Sequence, residues 1–305
     1  MAINVSSLTT YVDEQRLPLI RKAVLAPKSA ELFNLQTGVK SKAALNILTT
    51  SVVFGNGGAC GWNQAGTSTL SQREIEVGHI KINMSFCDRT LLDYWAGYEV
   101  KVAAGRESLP FEEAFVNDVI AHVRAEVEKA IWQGDATNGL GNLKAFDGLL
   151  TILDDEDDVI ELPALEGNNI AQEVYDAYSN IPVEVLHSAV IFCGEDTFRQ
   201  YIGELNAANL YHYDPKVDEG MSIVIPGTST RIYGVAGLNG TSKIVAGDKN
   251  NFFYGTDLSG DEEAFDLWYS KDNQEFRLAI KFNAGVQVAF PDQVVVKSVD
   301  SGASD

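Results

Sequence analysis

Residues 105–135 read GRESLPFEEAFVNDVIAHVRAEVEKAIWQGD, and they predict one long helix that stops abruptly at a glycine. Phe111, Phe115, Val119, Ile120, Val123, Val127, Ala130 and Ile131 recur at spacings of three and four, which lays an apolar stripe along one side. Glu112, Asn117, Arg124, Glu128 and Lys129 mark the opposite, solvent side. Ser108 suits the cap and Pro110 the first turn, while Glu112 and Glu113 place negative charge beside the unpaired first amides. Gly134 ends it. Over 109–133 the helix spans roughly 37 Å at 1.5 Å per residue, more than a compact domain of this size needs, and so implies an elongated subunit.

Upstream, residues 11–35 combine short helical spacing (Leu17, Ile20, Val24, Leu25) with Pro18 and Pro27, which break any long helix. This predicts an extended arm with a short helix, packed on the rest of the chain or on a neighbour; the alternative is an ordinary N-terminal helix. From Ala44 the period changes to two. ALNILTTSVVF and REIEVGHIKINMSF read as strands, joined by the glycine-rich GNGGACGWNQAGTSTLSQ, and together they predict a long projecting hairpin with a loose tip. A phosphate cradle is the other reading of so many glycines, but neither GxxxxGK[ST] nor GxGxxG opening into a helix occurs.

Downstream of Gly134, GDATNGLGNLKAFDGLLTIL is dominated by turns and returns to an apolar strand or helix start at Leu149–Leu153. The acidic run Asp154–Asp158 lacks the spaced ligands and bend glycine of an EF-hand and reads as a solvated loop. From about Asn168, two amphipathic helices and several short strands (SAVIFCG, GMSIVIPG, TRIYGVAGL, SKIVAGD, NFFYGTDL) predict a mixed α/β lobe. Phe276, Leu278, Ile280 and Phe282, then Val286, Val288 and Phe290, predict closing antiparallel strands that return beside the long helix. SVDSGASD reads as a frayed tail.

The chain has 305 residues, with 23 Lys plus Arg against 43 Asp plus Glu, a formal charge of −20. Phosphate binding draws on Lys and Arg displacing counterions, and no basic run is present, which argues against a nucleic-acid reader. Cys60, Cys87 and Cys193 are odd in number and form no CxxC pair, which favours a reducing compartment. No leader pattern and no stretch of roughly 18 apolar residues stands out, so a soluble cytoplasmic product without membrane contact is expected.

Catalysis needs a nucleophile, base and orienting group, or ligands at metal spacing. His79 lies in an alternating strand, His122 on the long helix, His187 before a strand and His212 between the tyrosines of YHYD; none fits HExxH, HxH or a zinc spacing. Cys193 in VIFCG reads as a small buried apolar residue, and Cys60 in the glycine-rich tip has no nearby Lys, Arg or His to activate it. GxSxG is absent. No catalytic, metal-ligating or cofactor-binding residue is therefore assigned, and a non-enzymatic protein without cofactor is expected.

The order of elements, and above all VEKAIWQGDATNGLGNLKAFDGLL (127–150) and FRLAIKFNAGVQVAF (276–290), resembles the Hong Kong 97 fold of tailed-bacteriophage major capsid proteins. The resemblance implies an α+β chain with an N-terminal arm at 1–43, an extended β-hairpin loop at 44–86, a peripheral domain at 87–165 and 275–299 carrying the spine helix 109–133, a mixed α/β axial domain at 168–272 and a flexible tail at 300–305. It implies a shell subunit of the virion that assembles with itself into hexamers and pentamers in the bacterial host cytoplasm. Its other partners would be a portal and separate scaffolding or decoration proteins. It would enclose double-stranded DNA without sequence-specific binding, its acidity letting DNA slide rather than stick. Some members crosslink the extended loop through a lysine–asparagine isopeptide bond; no Lys lies between Ala43 and Ile80, so a shell without covalent crosslinks is expected. Some members also carry a long helical N-terminal segment that scaffolds assembly; no such segment is read here, so a separate scaffolding protein is expected. An encapsulin-type compartment shares the fold and is the nearest alternative. A cytosolic two-lobed α/β enzyme is the second.

Overall fold

The computed structural model describes residues 19, 23–54, 66–87, 111–165, 167, 169–208, 221–257 and 264–299, with the backbone alone for 111–114 and 264–265. In chain order the elements are α1 (Lys28–Leu32), β1 (Asn34–Thr37), β2 (Lys42–Ser51), β3 (Thr67–Glu76), β4 (Gly78–Cys87), α2 (Phe111–Gln133), α3 (Leu149–Asp154), β5 (Ile160–Leu162) and α4 (Ile170–Ser179). There follow β6 (Ala189–Gly194), α5 (Glu195–Ala207), β7 (Ser222–Val224), β8 (Arg231–Val235), β9 (Lys243–Asp248), β10 (Phe252–Thr256), β11 (Ala264–Ser270), β12 (Glu275–Val288) and β13 (Val295–Ser298). Short 3-10 turns sit between several of them.

Of the stripe read from its spacing, the long helix α2 buries Val119, Ile120, Val123, Val127, Ala130 and Ile131 and half-buries Phe115, and it adds Val116 and Trp132. It ends where backbone must approach backbone. A Cβ on Gly134 would lie 2.3 Å from the carbonyl of Phe146, and one on Gly148 only 2.5 Å from the amide of Gly134. These two glycines let the chain fold straight back, and α3 starts one residue later. Ser108 and Pro110, expected to start the helix, lie outside the described residues.

Two mixed sheets flank α2. In the first, β12 is central: β4 pairs along one edge from Glu275↔Cys87 to Ala284↔Gly78, and β11 and β10 lie end to end along the other, with β1 parallel to β10. Phe276, Leu278, Ile280 and Phe282 turn to the core that α2 also enters. The second sheet has the order β5-β13-β9-β6-β8-β7. It is covered on both faces: Ile191 and Cys193 of β6 pack with α4 and α5, while Val190 and Phe192 join the core with α2. A two-faced burial of this kind suits the unbroken apolar run of SAVIFCG.

An aromatic junction ties these layers together. Phe33, Trp132 of α2, Phe192 of β6 and Phe252 of β10 pack together, mostly edge to face and with Phe33 stacked on Phe252, at ring-centroid distances of 5.3–5.9 Å. Such contacts add about 0.5–1.5 kcal/mol each beyond the area they bury. The N-terminal segment is thus part of the core from Ala23 onward, with the Tyr254 hydroxyl donating to the Val24 carbonyl at 3.1 Å.

Several boundaries differ from the expectation. The hairpin comprises β2 and β3, Lys42 to Glu76, rather than 44–86; at Val77 the chain leaves it, and Gly78–Cys87 becomes a strand of the five-stranded sheet. Residues 67–72, expected in the loose tip, are strand. The two closing strands are one, β12, about 46 Å long at 3.3 Å per residue. Strands β10 and β11, expected with the lobe at 168–272, belong to the first sheet, whereas β5 and β13, expected beside the long helix, belong to the second. The chain passes between the sheets repeatedly because neighbours in sequence find their ladder partners across it, as β13 does with β9.

Candidate assembly surfaces

The hairpin β2–β3 is rooted on a bare patch of the five-stranded sheet. Gly255 and Gly285 are direct partners across β10 and β12. A Cβ on Gly285 would meet the Glu76 carbonyl at 2.1 Å, and one on Gly255 the Ile75 side chain at 2.8 Å. Only this pair of glycines lets the chain at 75–77 cross directly over the sheet. Val39, Leu45, Ile75 and Val77 close a small cluster there. Gln287 Nε2 donates to the Glu74 carbonyl at 2.8 Å, and Arg73 pairs with Glu156 of the acidic run.

Beyond the root, the described residues of the hairpin form no core of their own. Leu48 and Leu70 face each other across the ribbon yet are 65% and 66% exposed; Val52 and Val53 are also exposed, and Phe54 is 96% exposed. Polar pairs hold the register beside them, Gln72 to Asn46 at 2.7 Å and Thr50 with Ser68 at 3.2 Å. A two-stranded ribbon is marginal by itself in water, and this one presents its apolar residues outward.

A groove of about 580 Å³ runs between β4 and α2. Ile80, Ile82, Val119 and Val123 line it, and Phe86 meets Phe115 edge to face at 5.0 Å. His79 and His122, unrelated in sequence, both reach its rim. His79 Nδ1 lies 2.7 Å from Asn283 Oδ1, and His122 is 3.9 Å from Asp118 on the exposed side of α2. His187 sits in the turn before β6. Cys193 is sealed in the second core, where burial pushes its thiol well up, the setting of a packed residue rather than a nucleophile. Cys60 and His212 lie outside the described residues. Among the described residues no group of three or more His, Cys, Asp or Glu could hold a metal ion, and no helix is long and apolar enough to cross a membrane.

Two buried polar clusters were missed by periodicity. Glu128, expected on the solvent side of α2, is 4% exposed. Its carboxylate accepts from the Ser29 amide at 3.0 Å and the Ser29 hydroxyl at 2.6 Å, and Trp132 Nε1 donates to the same hydroxyl at 2.7 Å. Burial raises the Glu128 carboxyl and lowers the neighbouring Lys28 ammonium, which donates to the Gly234 carbonyl at 2.6 Å. The second cluster centres on Lys297, fully buried, with Glu173 and Asp176 each 2.9 Å away and the Pro163 carbonyl as a further acceptor. Burial alone lowers this ammonium, but its bonds to Asp176 and Glu173 outweigh that and hold it above its ordinary value. Both clusters fasten segments far apart in sequence, α1 to α2 and β13 to α4.

No family model and no curated protein matches the sequence. Solved structures do match. A chain of the satellite phage P4 procapsid superposes with a TM-score of 0.63 at 12% identity, covering 92% of this chain and 89% of that one. The capsid of an empty GTA particle gives 0.56 at 12% identity over 92% and 90% of the two chains. The fold is the Hong Kong 97 fold. A virus-like particle from Pyrococcus furiosus shares it too, with a TM-score of 0.52 at 7% identity over 93% of this chain and 98% of that one.

Proposed function

We propose that this chain is a shell subunit, a major capsid protein that assembles with itself into the icosahedral head of a tailed bacteriophage and encloses its double-stranded DNA. The observation that carries this reading is the hairpin, whose Leu48, Leu70 and Phe54 have no cover among the described residues. Specific interfaces bury about 1,200–2,000 Å² in total, and a projecting ribbon laid over a neighbour supplies such area without a separate domain. In this reading the hairpin corresponds to the extended loop, the five-stranded sheet with α2 to the peripheral domain, and the six-stranded sheet to the axial domain. A portal and separate scaffolding proteins would complete the head, and the role is structural rather than enzymatic. The shell would hold without isopeptide crosslinks.

Gel filtration followed by negative-stain microscopy of the expressed chain tests it. Closed or curved shells eluting in the void volume are expected; a compact monomer or small oligomer at every concentration would overturn it. The Pyrococcus furiosus match supports a second reading, an encapsulin-type compartment. Particles purified from the native source separate the two, since a phage head yields packaged duplex DNA and a compartment yields a protein cargo.

A further inference from the structure

The five-stranded sheet has a second face, turned away from α2, on which two lysines stand side by side in a chain of formal charge −20. Alternate residues of β12 point there, and the register sets their neighbours: Lys281 lies directly opposite Lys81, and Arg277 lies between Ser85 and Trp268. Together with Asp266 and Glu275 they border a hollow of about 510 Å³, in which three cations face two carboxylates. Trp268 is 43% exposed, and Lys81 and Lys281 are exposed as well. Arg277 is held by Glu275 at 2.8 Å, but neither lysine forms an ion pair with a described residue. Like charges directly opposite on a sheet destabilise it, so an isolated subunit gains nothing from this arrangement.

The complement lies elsewhere on the same chain. In the run Asp154–Asp158, Asp154 is paired with Lys243 at 2.7 Å and Glu156 with Arg73, which fixes the loop. Asp155, Asp157 and Asp158 remain exposed and form no ion pair with a described residue. A chain of formal charge −20 that packs against copies of itself must offset repulsion where copies touch. We infer that the Lys81–Lys281 face, with Trp268 as its apolar anchor, receives the 154–158 loop of a second copy of this chain. The inference rests on the shell reading and adds to it a defined contact. Donor and acceptor are different patches of one subunit, so the contact is head-to-tail and propagates into rings or larger assemblies. Charge complementarity of this sort sets register and encounter rate and weakens with salt.

A charge-swap series tests it. Lys81→Glu with Lys281→Glu, and separately Asp157→Lys with Asp158→Lys, are each expected to reduce assembly by about tenfold in apparent association constant, and the quadruple variant to restore it. Assembly is read by light scattering and gel filtration, with circular dichroism as a check on subunit folding. Should a reversal impair folding, Lys→Gln and Asp→Asn at the same positions give the same expected loss without inverted charge. Unchanged assembly in both double variants, or a quadruple variant no better than either, overturns the contact. So does loss of duplex DNA binding by Lys81→Glu/Lys281→Glu with assembly intact, which would assign the face to phosphates. Wild-type chain that never assembles overturns the shell reading and this contact with it, whereas assembling wild type with indifferent variants removes the contact alone.

Discussion

The six-stranded sheet and the β2–β3 hairpin draw on similar apolar and β-branched residues yet end in opposite states. In the first, every residue of β6 is buried, and even the charged Lys297 is enclosed with two carboxylates. In the second, Leu45 and Ile47 are buried on one face near the root, while Leu48 and Leu70, on the opposite face of the ribbon, stand in water. Amino-acid type does not separate these regions. What separates them is whether a covering surface is brought to bear, and among the described residues the outer hairpin has none. The sheet is covered within the subunit, and in the shell reading the hairpin is covered by a neighbour.

The largest effect that would sharpen this contrast comes from Lys297→Met. It leaves Glu173 buried without its counter-charge, and breaking such a pair typically costs about 3–5 kcal/mol. A drop of that size in urea unfolding is expected, with loss of soluble protein; a midpoint near wild type would mean that the six-stranded unit does not depend on its internal ion pair. The pH response has a definite sign. A lysine held above its ordinary 10.5 contributes stability that is fully present below that value and is lost as pH rises through the higher folded value. Wild type should therefore lose stability more steeply than the variant above pH 10.5.

An intermediate effect is expected at the hairpin root. Gly285→Val drives a side chain into the Glu76 carbonyl and the Val77 Cα, 2.1 and 2.9 Å from the new Cβ, and overpacking of this kind costs about 1–3 kcal/mol. Amide exchange should accelerate at Leu45 and Ile75 while Phe192 stays protected. Equal acceleration at both places would show that root and sheet open as one unit, and the division drawn between them would fail.

The contrast also explains what could be read from the sequence. The spacing of Val119, Val123 and Val127 revealed the long helix because its period is carried within one element, and Gly134 marked its end because the turn demands close backbone approach. Glu128 was misplaced because its partner Ser29 lies 99 residues away, and a carboxylate at a polar position of a helix looks the same whether water or a distant hydroxyl satisfies it. The exchange of strands between the sheets was hidden for the same reason: β13 pairs with β5 and β9, and its own residues Val295–Ser298 carry no sign of which sheet will hold them. The hairpin was visible as alternation, but its end at Glu76 was not, since Ile75, Val77, His79 and Ile80 continue an apolar rhythm across the crossing. The Gly255↔Gly285 patch that makes the crossing possible exists only once β10 and β12 are paired.

The smallest effect on the subunit is also the most telling. Leu48→Thr with Leu70→Thr replaces two exposed leucines by β-branched residues that keep the strand conformation, so subunit stability should stay within about 0.5 kcal/mol of wild type. If the outer hairpin is a surface held for a neighbour, the same variant should fail to form particles, because two side chains of this size are worth about 1.5–3 kcal/mol each when a partner buries them. Thermal melting of the unassembled chain and sedimentation of the assembled one read the two halves separately. A variant that melts like wild type and still assembles would show that the ribbon is merely exposed, and the distinction between a finished sheet and an unfinished hairpin would lose its functional meaning. A variant that melts early would place Leu48 and Leu70 in the subunit's own stability, closing the gap between the two regions from the other side.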